Sequence, residues 1–170
     1  MMNKKDFSIV CIGAGNVATH LAQALQQKGF HLSQIYSRTQ ESAEALAQTL
    51  GCAWTTCLEQ VDEHADLYIV SVKDAVLETV ISQLVHCNPD ALYLHTAGSM
   101  PMEVWKEKFK NYGVAYPMQT FSKQREVNFE EVPFFLEANS PENLSLLQEI
   151  TGSLSRKCTK PVQNNVNTCT

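Results

Sequence analysis

An apolar run over residues 7–12 leads directly into the turn Gly13-Ala14-Gly15 near the start of the 170-residue chain. Apolar residues then recur at helical spacing over residues 16–28, so that they fall on one face of a helix. A strand that passes through a tight turn straight into an amphipathic helix is the first half of a strand–helix–strand unit. This feature restricts the chain more than any other, and it predicts an α/β fold.

Strand-like and helix-like segments alternate along the rest of the sequence. The remaining predicted strands are residues 32–37, 52–56, 67–72, 91–94, 114–116 and 133–137. The remaining predicted helices are residues 40–50, 73–84, 102–110 and 141–150. Short links between such segments produce parallel strands with helical crossovers. We therefore predict that residues 1–154 form a doubly wound, mostly parallel sheet with the first strand at its centre.

The end of the chain has a different composition. Residues 153–170 contain one leucine, two valines and no aromatic residue. So few apolar side chains cannot bury enough surface to offset the loss of conformational entropy on folding. We therefore expect residues 155–170 to form a loose polar tail, at a point where an α/β subunit usually continues with a further strand or domain.

The composition excludes several kinds of partner. The formal net charge of −5 gives no electrostatic reason to expect nucleic acid or an anionic membrane. No segment approaches the roughly 18 apolar residues of a membrane-spanning helix, and the polar N-terminus lacks the pattern of a signal peptide. The six cysteines contain no C-x-x-C pair, so we expect reduced thiols, no metal site and a cytoplasmic protein.

The turn after the first strand matches the pattern G-x-G-x-x-A through Gly13, Gly15 and Ala18. The first glycine permits the tight turn, the second lets a pyrophosphate approach the backbone, and the alanine lets helix and sheet pack closely. The helix N-terminus then presents free N–H groups to the anion. Because the pattern lies between a strand and a helix, it indicates a Rossmann NAD(P)-binding fold rather than an unrelated glycine turn. The residues predicted to bind cofactor here are Gly13, Ala14, Gly15, Asn16 and Val17.

The end of the second predicted strand indicates which dinucleotide is bound. An NAD site usually carries Asp or Glu about 20 residues after the glycines, where the carboxylate binds the ribose 2′-hydroxyl. This sequence has Ser37, Arg38 and Thr39 there. A guanidinium and two hydroxyls suit a 2′-phosphate, which a carboxylate would repel, so NADP is favoured as the cofactor. Glu41 leaves NAD as a weaker alternative, and Arg38 could instead be a solvated surface residue.

Four motifs carry a resemblance to a known family. They are IGAGNVATHLAQAL, YSRT, LYIVSVKDAVL, and HTAGS together with GVAYPMQTF. Over residues 7–154 the chain resembles the N-terminal domain of NADP-dependent oxidoreductases related to pyrroline-5-carboxylate reductase and to coenzyme F420-dependent NADP oxidoreductases. It is most similar to members in which a Rossmann-like domain is followed by a helical domain. The first motif occurs in many dehydrogenases, whereas the last two together are much more specific.

The resemblance implies that two further segments line the cofactor. In the family, the end of the fourth strand lies between pyrophosphate and nicotinamide, which agrees with the rule that ligands bind at the carboxyl ends of strands. Small residues after the fifth strand would let the nicotinamide ring approach the backbone. The residues concerned are Ser71, Val72, Lys73, Asp74, Thr96, Ala97 and Gly98. Lys73 and Asp74 could also serve only to begin a helix.

No residue can be assigned a catalytic role from the sequence. His95 has the chemistry of a general acid, but a lone histidine at a strand end is more often a partly buried residue held by hydrogen bonds. The relatives carry His-Pro where this chain has Tyr116-Pro117. Tyr116 could either donate a proton or pack against the core.

The resemblance implies hydride transfer between NADPH and a small carbonyl, imine or deazaflavin substrate. In the family, a helical domain after residue 154 closes the substrate cleft and forms a dimer, so we expect a homodimer where that domain is present. A non-catalytic domain that binds or senses NADP is the alternative. A methyltransferase is disfavoured, because it requires an acidic residue where this chain has Arg38.

Overall fold

The computed structural model describes residues 2–159, which form one eight-stranded sheet flanked by helices. The strands are β1 (Ser8–Ile12), β2 (His31–Tyr36), β3 (Ala53–Thr55), β4 (Leu67–Val70), β5 (Leu92–His95), β6 (Asn111–Pro117), β7 (Phe134–Ala138) and β8 (Cys158–Thr159). The α-helices of this part of the chain are α1 (Asn16–Gln27), α2 (Gln40–Leu50), α3 (Asp74–Ser82) and α4 (Pro141–Gly152). Short 3-10 helices cover Leu58–Gln60, Met102–Trp105 and Phe129–Glu131.

The strand order is β3-β2-β1-β4-β5-β6-β7-β8. Strands β1 to β6 are parallel, β7 is antiparallel to β6, and β8 is parallel to β7. The chain therefore moves outward from β1 in one direction and then crosses to β4 on the other side. This confirms the predicted doubly wound, mostly parallel Rossmann sheet. It also places the change of direction between β1 and β4, where such folds bind their ligands.

Apolar side chains form a core on each face of the sheet, because neighbouring residues of a strand point to opposite faces. In β1, Ile9 and Cys11 join the core that includes residues of α1, α2 and α4. Val10 and Ile12 join the core that includes residues of α3. Cys11 is thus a small core residue, and burial raises the pKa of its thiol to about 12. A thiol with that pKa stays protonated and unreactive near neutral pH.

The segment over residues 102–110, predicted as a helix, is built differently. Only the 3-10 turn Met102–Trp105 is helical, and Glu107 adopts a left-handed conformation with a φ of 70°. The indole of Trp105 is fully buried, and its Nε1–H donates to the carbonyl oxygen of Gly113 over 3.1 Å. The helix prediction is therefore wrong here, because placing this indole in the core requires a turn and tertiary packing overrides local helical spacing.

Residues 155–159 differ from the loose tail expected from their composition. Ser155 is buried and donates its hydroxyl to the carbonyl oxygen of Val132 over 2.5 Å. Strand β8 then pairs with β7, and the N–H of Phe134 donates to the carbonyl oxygen of Lys157 over 3.0 Å. Backbone hydrogen bonds order this segment, and side-chain composition carries no signal for them. The rest of the predicted tail, residues 160–170, lies outside the described residues.

Within residues 2–159 no helix is both long enough and apolar enough to cross a membrane. The same residues contain no group of three or more His, Cys, Asp or Glu side chains placed to hold a metal ion.

Candidate functional site

The turn between β1 and α1 lies against the carboxyl end of β4. Gly13 has a φ of 119°, which residues with side chains rarely adopt, and its N–H donates to the carbonyl oxygen of Tyr36 over 2.7 Å. A Cβ atom built on Gly13 would overlap the carbonyl oxygen of Ser71. Only glycine therefore lets the turn pass this close to β4, in agreement with the role expected of the first glycine.

Gly15 has a different environment, although it belongs to the same motif. It precedes α1 in an extended conformation, and a Cβ atom built on it would have no heavy atom beyond its chain neighbours within 4 Å. Because Gly15 has no side chain to cap α1, the N–H groups of the first turn remain available to an anion. Ala18 is buried, as its position in the motif predicts.

Three hydroxyl groups meet at the carboxyl end of β2. The Oγ of Ser42 lies 2.6 Å from the Oγ of Ser37 and 2.6 Å from the Oγ1 of Thr39. Thr39 also caps α2, since its Oγ1 accepts a hydrogen bond from the N–H of Ser42 over 3.4 Å. We refer to Ser37, Thr39 and Ser42 as the hydroxyl cluster. Ser42 is not among the residues predicted from the sequence. It lies three residues after the capping Thr39, and a residue in that position faces the helix cap.

The glycine turn and the hydroxyl cluster open into one cleft of about 510 Å³. The predicted cofactor residues that line it are Gly13, Ala14, Gly15, Ser37, Arg38, Thr39, Ser71, Val72 and Lys73. The lining residues that sequence reasoning missed are Tyr36, Ser42, Leu58, Val76, Val80, Gln83 and Lys123. The charged lining residues are Arg38, Lys73 and Lys123, and no Asp or Glu within residues 2–159 lines the cleft. The cleft is therefore positively charged in a protein whose net charge is −5.

The predicted residues after β5 lie next to this cleft rather than in its lining. The hydroxyl of Thr96 donates to the Oγ of Ser71 over 2.9 Å, which joins the ends of β4 and β5. The hydroxyl of Ser99 donates to the carboxylate of Asp74, the first residue of α3. Thr96 to Gly98 are thus held beside Ser71, at the end of the cleft away from β2.

Tyr116 packs against the backbone after β5. A Cβ atom built on Gly98 would lie only 2.5 Å from Cε2 of the Tyr116 ring, so the ring covers this glycine. Tyr116 itself is half-buried. The sequence leaves proton donation and packing open for Tyr116, and its contact with Gly98 supports packing.

His95 is fully buried, and both of its ring nitrogens bind the backbone. Its Nδ1 accepts from the N–H of Ala97 over 3.1 Å, so the proton lies on Nε2, which donates to the carbonyl oxygen of Pro101 over 3.2 Å. Burial lowers the pKa of His95, with a smaller opposing effect from the Pro101 carbonyl. Both nitrogens of the neutral His95 ring are thus occupied by the backbone, which supports a structural role for His95 rather than a role as general acid.

The connection between β6 and β7, residues 118–133, folds back onto α1. We call it the β6–β7 loop. The Nδ2 of Asn16 donates to the carbonyl oxygen of Phe121 in this loop over 3.1 Å. The side chain of Asn16, predicted to bind cofactor, thus holds the loop, and the side chain of Val17 packs against the core. Neither residue lines the cleft.

The strand order and the glycine turn together define a Rossmann-type dinucleotide-binding domain. Residues 8–97 match the family described as NADP oxidoreductase, coenzyme F420-dependent. The chain therefore belongs to this family of oxidoreductases. A comparison with curated proteins found no match.

Solved structures with the same fold include three that are informative. The chain is 51% identical to a candidate NADP oxidoreductase from Bacteroides fragilis, with a TM-score of 0.89 over 91% of this chain and 60% of that one. An imine reductase from Myxococcus stipitatus in complex with NADP+ is 16% identical, with a TM-score of 0.75 over 91% and 54% of the two chains. Pyrroline-5-carboxylate reductase from Streptococcus pyogenes is 18% identical, with a TM-score of 0.73 over 93% and 59%. The chain thus spans 60% of the Bacteroides fragilis protein. Its similarity to the imine reductase and to the pyrroline-5-carboxylate reductase is a similarity of fold.

Proposed function

We propose that this domain binds NADP in the cleft and takes part in hydride transfer between NADPH and a small carbonyl, imine or deazaflavin substrate. The observation that carries the proposal is the end of β2, where Arg38 and the hydroxyl cluster line a cleft without acidic lining residues in the described part of the chain. A phosphate monoester carries about two negative charges near neutral pH, so a guanidinium attracts it and a carboxylate repels it. Glu41, which kept NAD as an alternative, is exposed on α2 and does not line the cleft.

The other parts of the cleft suit the other parts of a dinucleotide. The open space in front of Gly15, at the N-terminus of α1, suits the pyrophosphate. Leu58, Val76 and Val80 provide an apolar wall, and Val76 is 45% exposed. Covering such surface with the flat adenine base is favourable by about 25 cal/mol per Å² of apolar area.

We place the nicotinamide near Ser71 and the segment from Thr96 to Gly98. The hydroxyl pair of Ser71 and Thr96 offers hydrogen-bonding groups to the carboxamide of that ring. Hydride transfer requires the reacting carbons to be held close together and shielded from water. This domain provides one wall for that purpose. We propose that the opposite wall, and the contact of a homodimer, come from the helical domain that follows in the resembling oxidoreductases.

The substrate is proposed only as a class. An imine reductase is among the solved structures of similar fold, and the description of the family names coenzyme F420, a deazaflavin. These names keep an imine and a deazaflavin among the proposed substrates beside a carbonyl compound. The free thiols of the described residues, Cys11, Cys52, Cys57 and Cys87, support a cytoplasmic location.

The test is a parallel titration of the protein with NADPH, NADH and a deazaflavin, followed by fluorescence. We expect NADPH to bind more tightly than NADH. NADPH oxidation is then measured across imines, oxoacids and the deazaflavin, with the full-length protein. Equal affinity for NADPH and NADH would contradict the choice of cofactor. Tight NADPH binding without turnover of any of these substrate classes would favour the non-catalytic alternative.

A further inference from the structure

Two consecutive carbonyl groups of the β6–β7 loop are hydrogen-bonded to side chains of α1. The Nδ2 of Asn16 donates to the carbonyl oxygen of Phe121 over 3.1 Å. The Nε2 of His20, one helical turn further on, lies 2.5 Å from the carbonyl oxygen of Ser122, to which it donates because a carbonyl can only accept. The loop is therefore fixed to the helix whose N-terminus faces the cleft.

Apolar packing holds the same part of the loop. The side chain of Phe121 is 7% exposed and belongs to the core on the α1 side of the sheet. Its ring stacks on that of Phe129 with centroids 5.7 Å apart, and its centroid is also 5.7 Å from that of His20. The carbonyl groups of Phe121 and Ser122 and the side chain of Phe121 are thus held in place. This fixes the position of the backbone that leads into residue 123.

Lys123 is the charged residue that this arrangement brings to the cleft. It lines the cofactor cleft together with Arg38, and it lines the adjoining groove between α1 and α2 together with Thr19. Ser42 of the hydroxyl cluster belongs to both surfaces. The Lys123 side chain is exposed, and no carboxylate within residues 2–159 forms an ion pair with it.

We propose that Lys123 binds the 2′-phosphate of NADP together with Arg38, and that it helps to select NADP over NAD. The inference rests on the proposed function of the cleft. A lysine carries a compact charge and three donors on a flexible stem, so it can reach a phosphate beside Ser42 from the loop over α1. The guanidinium of Arg38 approaches the same phosphate from the turn before α2. Two cations match the charge of about −2 on the phosphate.

This assignment makes the β6–β7 loop part of the cofactor site, although three strands separate β6 from β2 in the sheet. Its sequence position, far from the glycine turn and from Arg38, gives no indication of that role. The hydrogen bonds from Asn16 and His20 supply the connection, since they place the loop over α1.

The experiment measures the dissociation constants of NADPH, NADH, 2′,5′-ADP and ADP for the wild-type protein and for Lys123→Met. ADP carries the pyrophosphate without a 2′-phosphate, whereas 2′,5′-ADP carries the 2′-phosphate without a pyrophosphate. Arg125→Met is the matched control, because it removes a positive charge from the same loop at a residue that does not line the cleft. We expect Lys123→Met to weaken NADPH and 2′,5′-ADP by about tenfold or more, with NADH, ADP and the control nearly unchanged.

Three results would overturn the inference. A similar loss for NADH and ADP would mean that Lys123 acts on the pyrophosphate or only supports the loop. If the wild-type protein prefers NADPH and Lys123→Met keeps the same ratio of NADPH to NADH affinity, the role of Lys123 is wrong and the proposed cofactor stands. A wild-type protein without that preference would overturn the proposed cofactor and this inference together.

Discussion

The carbonyl oxygen of Ser71 occupies the place that a Cβ atom on Gly13 would take. The carbonyl belongs to the backbone and the backbone fixes the position of a Cβ atom, so neither can move aside by a change of rotamer. Gly15, two residues further on, has open space at the corresponding position. The two glycines of one motif therefore serve different purposes, since the first permits the fold and the second leaves room for a ligand.

This difference predicts unequal effects on stability. We expect Gly13→Ala to lower the free energy of unfolding by about 2–4 kcal/mol, because it adds backbone strain at positive φ to a steric overlap. Urea unfolding followed by circular dichroism measures the change. Gly15→Ala is the matched control and should change the free energy of unfolding by less than about 1 kcal/mol. Equal losses in the two variants would contradict this interpretation of the turn.

The open space at Gly15 predicts that a side chain there affects binding rather than folding. Gly15→Val should remain folded and lose dinucleotide binding, because the new side chain would fill the space in front of α1 that we assign to the pyrophosphate. Binding is measured by titration with NADPH, after thermal unfolding has shown that the variant is folded. If NADPH affinity stays near the wild-type value, the glycine turn does not hold the dinucleotide.

Arg38→Ala tests the cofactor preference. We expect it to weaken NADPH binding by about 1–3 kcal/mol, the range of a hydrogen bond to a charged group, and to leave NADH binding nearly unchanged. The variant should also fold normally, since Arg38 is exposed. Paired titrations with the two nucleotides measure the difference. Equal weakening of both would show that Arg38 does not distinguish the 2′-phosphate.

His95 should give the protein a pH-dependent stability. Burial lowers the pKa of His95 below its ordinary value near 6.5, so below that pH the unfolded chain binds a proton more readily than the folded protein. The stability from neutral His95 is therefore complete above about pH 6.5 and is lost as the pH falls toward the lowered pKa. Urea unfolding between pH 5 and 8 should show this decline, and it should be weaker in His95→Gln.

The same variant separates a structural role from a catalytic one. His95 does not line the cleft, so a folded His95→Gln protein should bind NADPH with nearly wild-type affinity. A large fall in turnover number at unchanged NADPH affinity and unchanged stability would instead assign His95 to the reaction.

The parts of the fold that local patterns specify could be predicted from the sequence. The run into Gly13 and the alternation of strands and helices predict the parallel sheet, and α4 begins at Pro141 as expected. In the proposed cofactor cleft, Arg38 and its hydroxyl neighbours are found where the spacing from the glycines places them. These features depend on short segments whose chemistry is complete within a few residues.

The parts that were missed depend on contacts between distant segments. Trp105 breaks a helical pattern because its indole reaches Gly113 in β6, and β8 forms because β7 offers it backbone partners. Lys123 reaches the cleft because Asn16 and His20 bind the loop just before it. No spacing rule within one segment encodes such contacts.

A crystal structure of the protein with NADP+ bound would show the proposed cofactor site itself. We expect the pyrophosphate in front of Gly15 and the 2′-phosphate within hydrogen-bonding distance of the Arg38 guanidinium and of the hydroxyl cluster. A dinucleotide bound elsewhere, or a 2′-phosphate directed into solvent away from Arg38, would contradict it.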